Sequence, residues 1–135
     1  MTDWGNERVQ VFDPKGRHLA TLGSSGTGDG QFRRPAGISI DSAGYIIVAD
    51  WGNERVQILQ PDGAHLATLW GDATLSKWAR EFIEASPDVA AKRQSAADLE
   101  AEKRFWGAVS VRVDGTGRLY VAEHSRHRIQ IYERV

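Results

Sequence analysis

The residues with chemistry to offer cluster in a few short stretches of this 135-residue chain. His124 and His127, three apart, have the imidazoles and the spacing to begin a divalent-metal site. Such a site needs a third ligand, and the sequence names none, so no metal residue is assigned. Arg33 and Arg34, and Arg126, His127 and Arg128, make two short basic clusters; tryptophans stand at positions 4, 51, 70, 78 and 106. Guanidinium and indole groups side by side can stack a nucleotide base or hold a peptide. Asp3 with Arg8, Asp50 with Arg55, and Glu123 with Arg128 repeat one acid–base pair at one spacing, which marks an ion pair that fixes structure rather than a reaction centre. There is no cysteine, so disulfides, thiolate ligands and cysteine nucleophiles are excluded. The glycines from Gly23 to Gly30 lack a following Lys-Ser/Thr and helix, so they form a linker and not a phosphate loop. No catalytic residue and no cofactor is assigned.

These residues recur because the chain repeats itself. Asp3-Trp4-Gly5-Asn6-Glu7-Arg8-Val9-Gln10 returns letter for letter as Asp50 to Gln57, an offset of 47. Pro14, Gly16 and His18 to Leu22 return as Pro61, Gly63 and His65 to Leu69. A second offset, 73, carries Phe32 to Phe105, Asp41 to Asp114, Gly44 to Gly117, Val48-Ala49 to Val121-Ala122 and Arg55 to Arg128. The difference, 73 − 47 = 26 residues, is an insertion lying between Gly71 and Arg104.

Within a repeat the apolar residues alternate with period two, the signature of strands. Residues 37–41, 45–49, 54–59 and 65–69 read as strands a, b, c and d, with turns at Ser42-Ala43-Gly44 and Pro61-Asp62-Gly63 and a loop at 50–53. Four short antiparallel strands every 40 to 50 residues is the blade of a β-propeller.

The segment Gly28-Asp29-Gly30-Gln31-Phe32-Arg33-Arg34-Pro35-Ala36-Gly37-Ile38, followed by Val48-Ala49-Asp50, Asn53 and Arg55-Val56-Gln57, resembles the NHL repeat. The resemblance implies an all-β propeller fold; with the strand count and the insertion, the expectation is a partial β-propeller of four-stranded antiparallel blades with an α-helical insertion between blades. Proteins of this family commonly close six blades. Some bind RNA or protein, some are extracellular sensors, and a few relatives are metal-dependent lyases or hydrolases whose ligands ring a central channel. No such ligand set maps onto this chain, and an enzyme is the less favoured reading.

The expected layout is one partial-propeller domain: a half blade of strands c and d (1–23), a full blade (32–71), the insertion (72–104), and a blade lacking its outer strand (105–135). Two blades cannot close a ring. Bare strand edges are templates for pairing, so the expectation is a dimer or trimer formed through exposed blade edges. Head-to-tail assembly would give six blades from three chains; a dimer joined edge to edge is the alternative, as is a piece cut from a longer propeller. Successive strands reverse direction, so the b→c and d→a connections share one face. That face collects Arg33, Arg34, Trp51, Asn53, Trp78, Trp106, His124, Arg126 and His127 as candidate ligand or partner residues. The insertion reads as two helices. The first carries an apolar stripe, Leu75, Trp78, Ala79, Phe82 and Ile83, capped by Thr74, that packs on the propeller face or, alternatively, makes the helix a lid or partner-docking element; the second starts at Ser86-Pro87 and runs to about Lys103.

Seventeen basic and eighteen acidic residues leave a net charge of −1, which gives no field drawing the chain to nucleic acid or anionic membrane. No stretch approaches the roughly 18 apolar residues of a membrane span, and no signal segment opens the sequence, so cytoplasmic is the default. The expected function is a non-catalytic binding or scaffold module that recognises protein or peptide on the tryptophan-bearing face. RNA binding there is the alternative, and metal-dependent lyase or hydrolase chemistry in an oligomeric ring stands behind it.

Overall fold

Alternation with period two gives each strand two different faces, and in the middle of this chain both faces are apolar. The computed structural model describes residues 1–74, 77–95 and 100–133, with the side chains of all but Lys77, Trp78 and Glu100. Strands β1 (Thr2–Asp3), β2 (Arg8–Phe12) and β3 (His18–Leu22) form a first antiparallel sheet. A short parallel bridge joins β4 (Ser24–Ser25) to β5 (Gln31–Phe32) across the linker. The second sheet has the order β6 (Pro35–Ile40), β7 (Ile46–Asp50), β8 (Arg55–Leu59), β9 (His65–Leu69), antiparallel throughout. The third is β10 (Ala108–Val113), β11 (Leu119–Glu123), β12 (Arg128–Tyr132). The architecture is that of consecutive β-propeller blades: a complete four-stranded blade between two incomplete ones.

The middle sheet is the buried layer. Ile46, Val48 and Leu59 turn one way and meet Val9 of the first sheet and Phe32 of the linker, with Leu22 and Ile38 at the margin. Ile47, Ala49 and Val56 turn the other way and meet Phe105, in the segment entering the third sheet, and Ala108, Val111, Leu119 and Val121 of that sheet. All five residues of β7 are buried in consequence. The innermost strands β6 and β10 approach closely because Gly37 has no side chain: a Cβ there would lie 2.8 Å from the Ser110 Cα and the Val109 carbonyl oxygen. The Val113 amide also donates to Ser39 Oγ across this seam at 3.1 Å.

Three sequence expectations change. The first sheet was expected to hold strands c and d alone; it also has β1, a two-residue piece of strand b. The Met1 amino group donates to the Gln10 carbonyl at 2.8 Å, and the Gln10 amide returns a bond to Met1 at 2.8 Å. Between β9 and β10 the chain forms α1 (Lys77–Glu84) and α2 (Pro87–Gln94). Pro87 begins α2 after Ser86 as expected, but α2 stops at Gln94, well short of Lys103. Residues 96–99 lie outside the described residues, and Glu100–Glu102 is a single 3-10 turn. Phe82 was expected to pack α1 on the propeller face; it is 63 % exposed. The stripe's first residue, Leu75, lies outside the described residues.

Candidate functional site

The second and third sheets pin the segment entering their innermost strands with repeat-equivalent side chains, and that pinning shapes the face where the candidates gather. In the middle blade Asp50 ends strand b, and a 3-10 turn at Trp51–Asn53 leads into strand c. Arg55 Nε donates to Asp50 Oδ2 at 2.8 Å, Asn53 Nδ2 donates to the same oxygen at 2.9 Å, and the Arg33 amide donates to Oδ1 at 2.7 Å. The rest of the Arg55 guanidinium donates to the carbonyls of Thr27, Gly28 and Gln31, each at 2.8 Å. Gln57 accepts from the Gly30 amide at 2.9 Å and donates to the Gln31 carbonyl at 2.6 Å. Every buried side-chain polar atom among the described residues has a partner, as burial demands.

The third blade repeats the arrangement with Glu123. It accepts from Arg128 Nε, from Gln130 Nε2 at 2.8 Å and from the Trp106 amide at 2.8 Å. Arg128 goes on to the carbonyls of Glu102 and Arg104, at 2.7 and 2.9 Å. In the first sheet Asp3 gathers Asn6, Arg8 and Gln10, and these bonds, that of Arg8 foremost, hold its carboxyl below the usual range. There Arg8 has no carbonyl-bearing segment to grip among the described residues.

The pinned segments leave a cleft of about 530 Å³ between the b→c turns, lined by Glu7, Arg33, Arg34, Trp51, Gly52, Glu54, Trp106, Gly107 and Ser125. Its floor is tight: the Gly52 amide donates to the Arg33 carbonyl at 2.8 Å, and a Cβ on Gly52 would fall 2.7 Å from Arg33 Cγ. Arg34 stands between two indoles, its guanidinium carbon 5.4 Å from the Trp4 ring centre and 5.8 Å from that of Trp51. Its backbone is left-handed, φ 51°, a conformation costing a non-glycine residue about 1–3 kcal/mol. The equivalent position in the third blade is Gly107, φ 75°, where the same conformation carries no such cost. Glu7 is engaged by the Ser25 hydroxyl. Neither Arg33 nor Arg34 forms an ion pair with a carboxylate among the described residues. The cleft therefore presents two exposed guanidinium groups beside aromatic surface.

Of the residues singled out from sequence, the structure brings Arg33, Arg34, Trp51 and Trp106 to this cleft. Arg126 lies next to it, its guanidinium 5.7 Å from the Trp106 ring centre and bonded to the Ala101 carbonyl. Asn53 is turned away into the Asp50 network and onto the Gly26 carbonyl. The exposed rings of His124 and His127 lie 6.3 Å apart, and no group of three or more His, Asp or Glu gathers around a point among the described residues. Trp78 lies in α1, with its side chain outside the described residues. Sequence reasoning did not single out Glu7, Glu54, Gly107 or Ser125. For Glu7 and Glu54 the available signal was their shared repeat position, which His127 also holds; in the structure all three are left-handed, with φ between 49° and 55°.

No helix among the described residues is long and apolar enough to cross a membrane. No curated protein matches the chain. The NHL repeat model matches residues 32–59 and 105–132. Each matched stretch opens on its buried phenylalanine, Phe32 or Phe105, and contains the acid, arginine and glutamine that pin the entering segment. Both matched stretches are NHL repeats, alike in sequence and in this hydrogen-bonded set.

Proposed function

We propose that the chain is a non-catalytic peptide-recognition module that binds through the cleft between its b→c turns. The observation that carries this reading is Arg34, held in a strained left-handed conformation between Trp4 and Trp51 where the third blade has Gly107. Backbone strain retained at an exposed position is typical of a site kept for binding. The stacked guanidinium offers its N–H edge to a carboxylate, and the indoles of Trp51 and Trp106 offer apolar surface beside it. An acidic side chain next to an apolar or aromatic one is the peptide chemistry that fits. NHL repeats in general serve protein interaction, which supports the reading. Glu7 and Glu54 in the lining, and a net charge of −1, favour polypeptide over RNA.

The test is selection from a displayed peptide library on the wild-type chain, repeated with Trp51→Ala and Arg34→Ala. The expected peptides are enriched in Asp or Glu beside an apolar residue and bind either variant on the order of tenfold more weakly or worse. Peptides that bind all three proteins alike overturn the reading. Binding of labelled single-stranded RNA that falls steeply with salt and is lost in Arg34→Ala would replace it with the RNA reading. A stoichiometric divalent ion in the purified protein would turn attention to metal-dependent chemistry instead.

A further inference from the structure

Outside the cleft, the feature that asks most clearly for a partner is the free edge of β12. It pairs with β11 on one side and with nothing on the other among the described residues. In β2 the main chain of Gln10 exchanges both of its hydrogen bonds with Met1, on the strand-b side. Gln130 holds the same place in β12, opposite Val121. By that phase Arg128, Gln130 and Tyr132 direct their main-chain groups to β11, and Ile129 and Ile131 direct theirs outward. The side chains of these two isoleucines are themselves 63 % and 58 % exposed. Beside the edge lies a mainly apolar groove of about 280 Å³, whose lining includes Ile58, Leu66, Leu69, Leu119 and Tyr132. The strand reads Arg-Ile-Gln-Ile-Tyr, with neither lysine nor proline to guard it against pairing.

Strand bookkeeping says what can cover it. Among the described residues β2, β8 and β12 are strands of type c and β3 and β9 are of type d, both reading His-Leu-Ala-Thr-Leu. Lending β3 from one copy to β12 of another bares β2 as it covers β12. Pairing β12 with β12 covers both at once. The sequence suits a two-fold axis through Gln130. Ile129 then stands opposite Ile131 of the partner subunit, and Arg128 opposite Tyr132 of the partner subunit. Each pair falls on a common face because the side-chain period is two.

We propose that β12 is a self-association edge, and that two copies join by antiparallel β12–β12 pairing into one continuous six-stranded sheet with an isologous two-fold interface. The partner's strand also walls the groove beside Leu66 and Leu69.

The experiment is solution mass by light scattering coupled to size exclusion, for the full chain at concentrations up to on the order of 100 µM. The expected wild-type value is a dimer, about twice the 14.9 kDa of one chain. Ile131→Lys, at an exposed position, should keep the far-ultraviolet circular dichroism of the wild type and raise the dimer dissociation constant on the order of tenfold or more. Phe12→Lys, on the open face of the first sheet, should leave the dimer intact. A wild-type monomer, a trimer, or a dimer broken by Phe12→Lys and not by Ile131→Lys overturns the proposal. Peptide binding at the cleft is read separately, since Ile131 takes no part in it.

Discussion

Asp50 and Arg55 meet through Oδ2 and Nε at 2.8 Å with both side chains shut off from water, whereas Asp3 and Arg8, the same pair in an identical octapeptide, meet at 2.9 Å with Arg8 39 % exposed. Removing one partner of a buried pair leaves an uncompensated charge, while an exposed pair is screened. Asp50→Ala should therefore cost about 3–5 kcal/mol of folding stability. Asp3→Ala should barely move the urea midpoint. Equal losses from the two substitutions would mean that the linker carbonyls gripped by Arg55 contribute nothing.

Arg34 separates strain from binding. Arg34→Gly removes the left-handed penalty but gives the unfolded chain more freedom, so stability should hold or rise by up to about 1 kcal/mol. Arg34→Ala keeps the strain and should not gain. Both should lose peptide affinity. Urea unfolding beside fluorescence anisotropy of a bound peptide reads the two quantities on the same samples.

Gly37→Ala should destabilise by about 1–3 kcal/mol, because the new methyl meets main-chain atoms of Ser110 and Val109, which cannot swing aside as a side-chain tip would. The same change at Gly115, where a Cβ would meet nothing within 4 Å, should cost far less. Thermal unfolding of the two variants side by side gives the comparison.

Burial, aided by the carboxylates of Asp72 and Glu123, pushes the Tyr132 phenol up to about 12 from its usual 10.0, against the bond it accepts from the Asp72 amide. Between those values the folded chain holds the proton that the unfolded chain releases. The contribution is therefore whole below pH 10 and is lost as pH rises toward 12. Tyr132→Phe should flatten the alkaline fall in stability. It should also cost about 0.5–1.5 kcal/mol at neutral pH through the lost bond to Gln130. Urea midpoints measured from pH 8 to 12 give both.

Much of this was legible in the sequence, and the exceptions have physical causes. Strands β6 to β9 follow from alternation and turn residues in Ile38 to Leu69, and gathering Arg33, Arg34, Trp51 and Trp106 needs only the rule that successive strands reverse. The β1 strand was missed because two residues are too few to show a period. The end of α2 at Gln94 was missed because an alanine-rich, charged stretch continues past it without a stop signal. The different fates of Asp3 and Asp50 were beyond reach in principle: eight identical letters say nothing about which copy has a linker packed over it. The left-handed backbone of Arg34 became visible only with Gly107 beside it as its counterpart.

The burial of β7 on both faces has a consequence for the order in which the molecule comes apart. In a linear array each unit is stabilised by the neighbours it touches, and the middle sheet touches two where each outer sheet touches one. Amide protons of β7 should thus be the last to exchange with deuterated solvent, opening only when the whole array opens. Those of β2 and β12 should be released earlier, by peeling of the outer layers from a middle that stays closed.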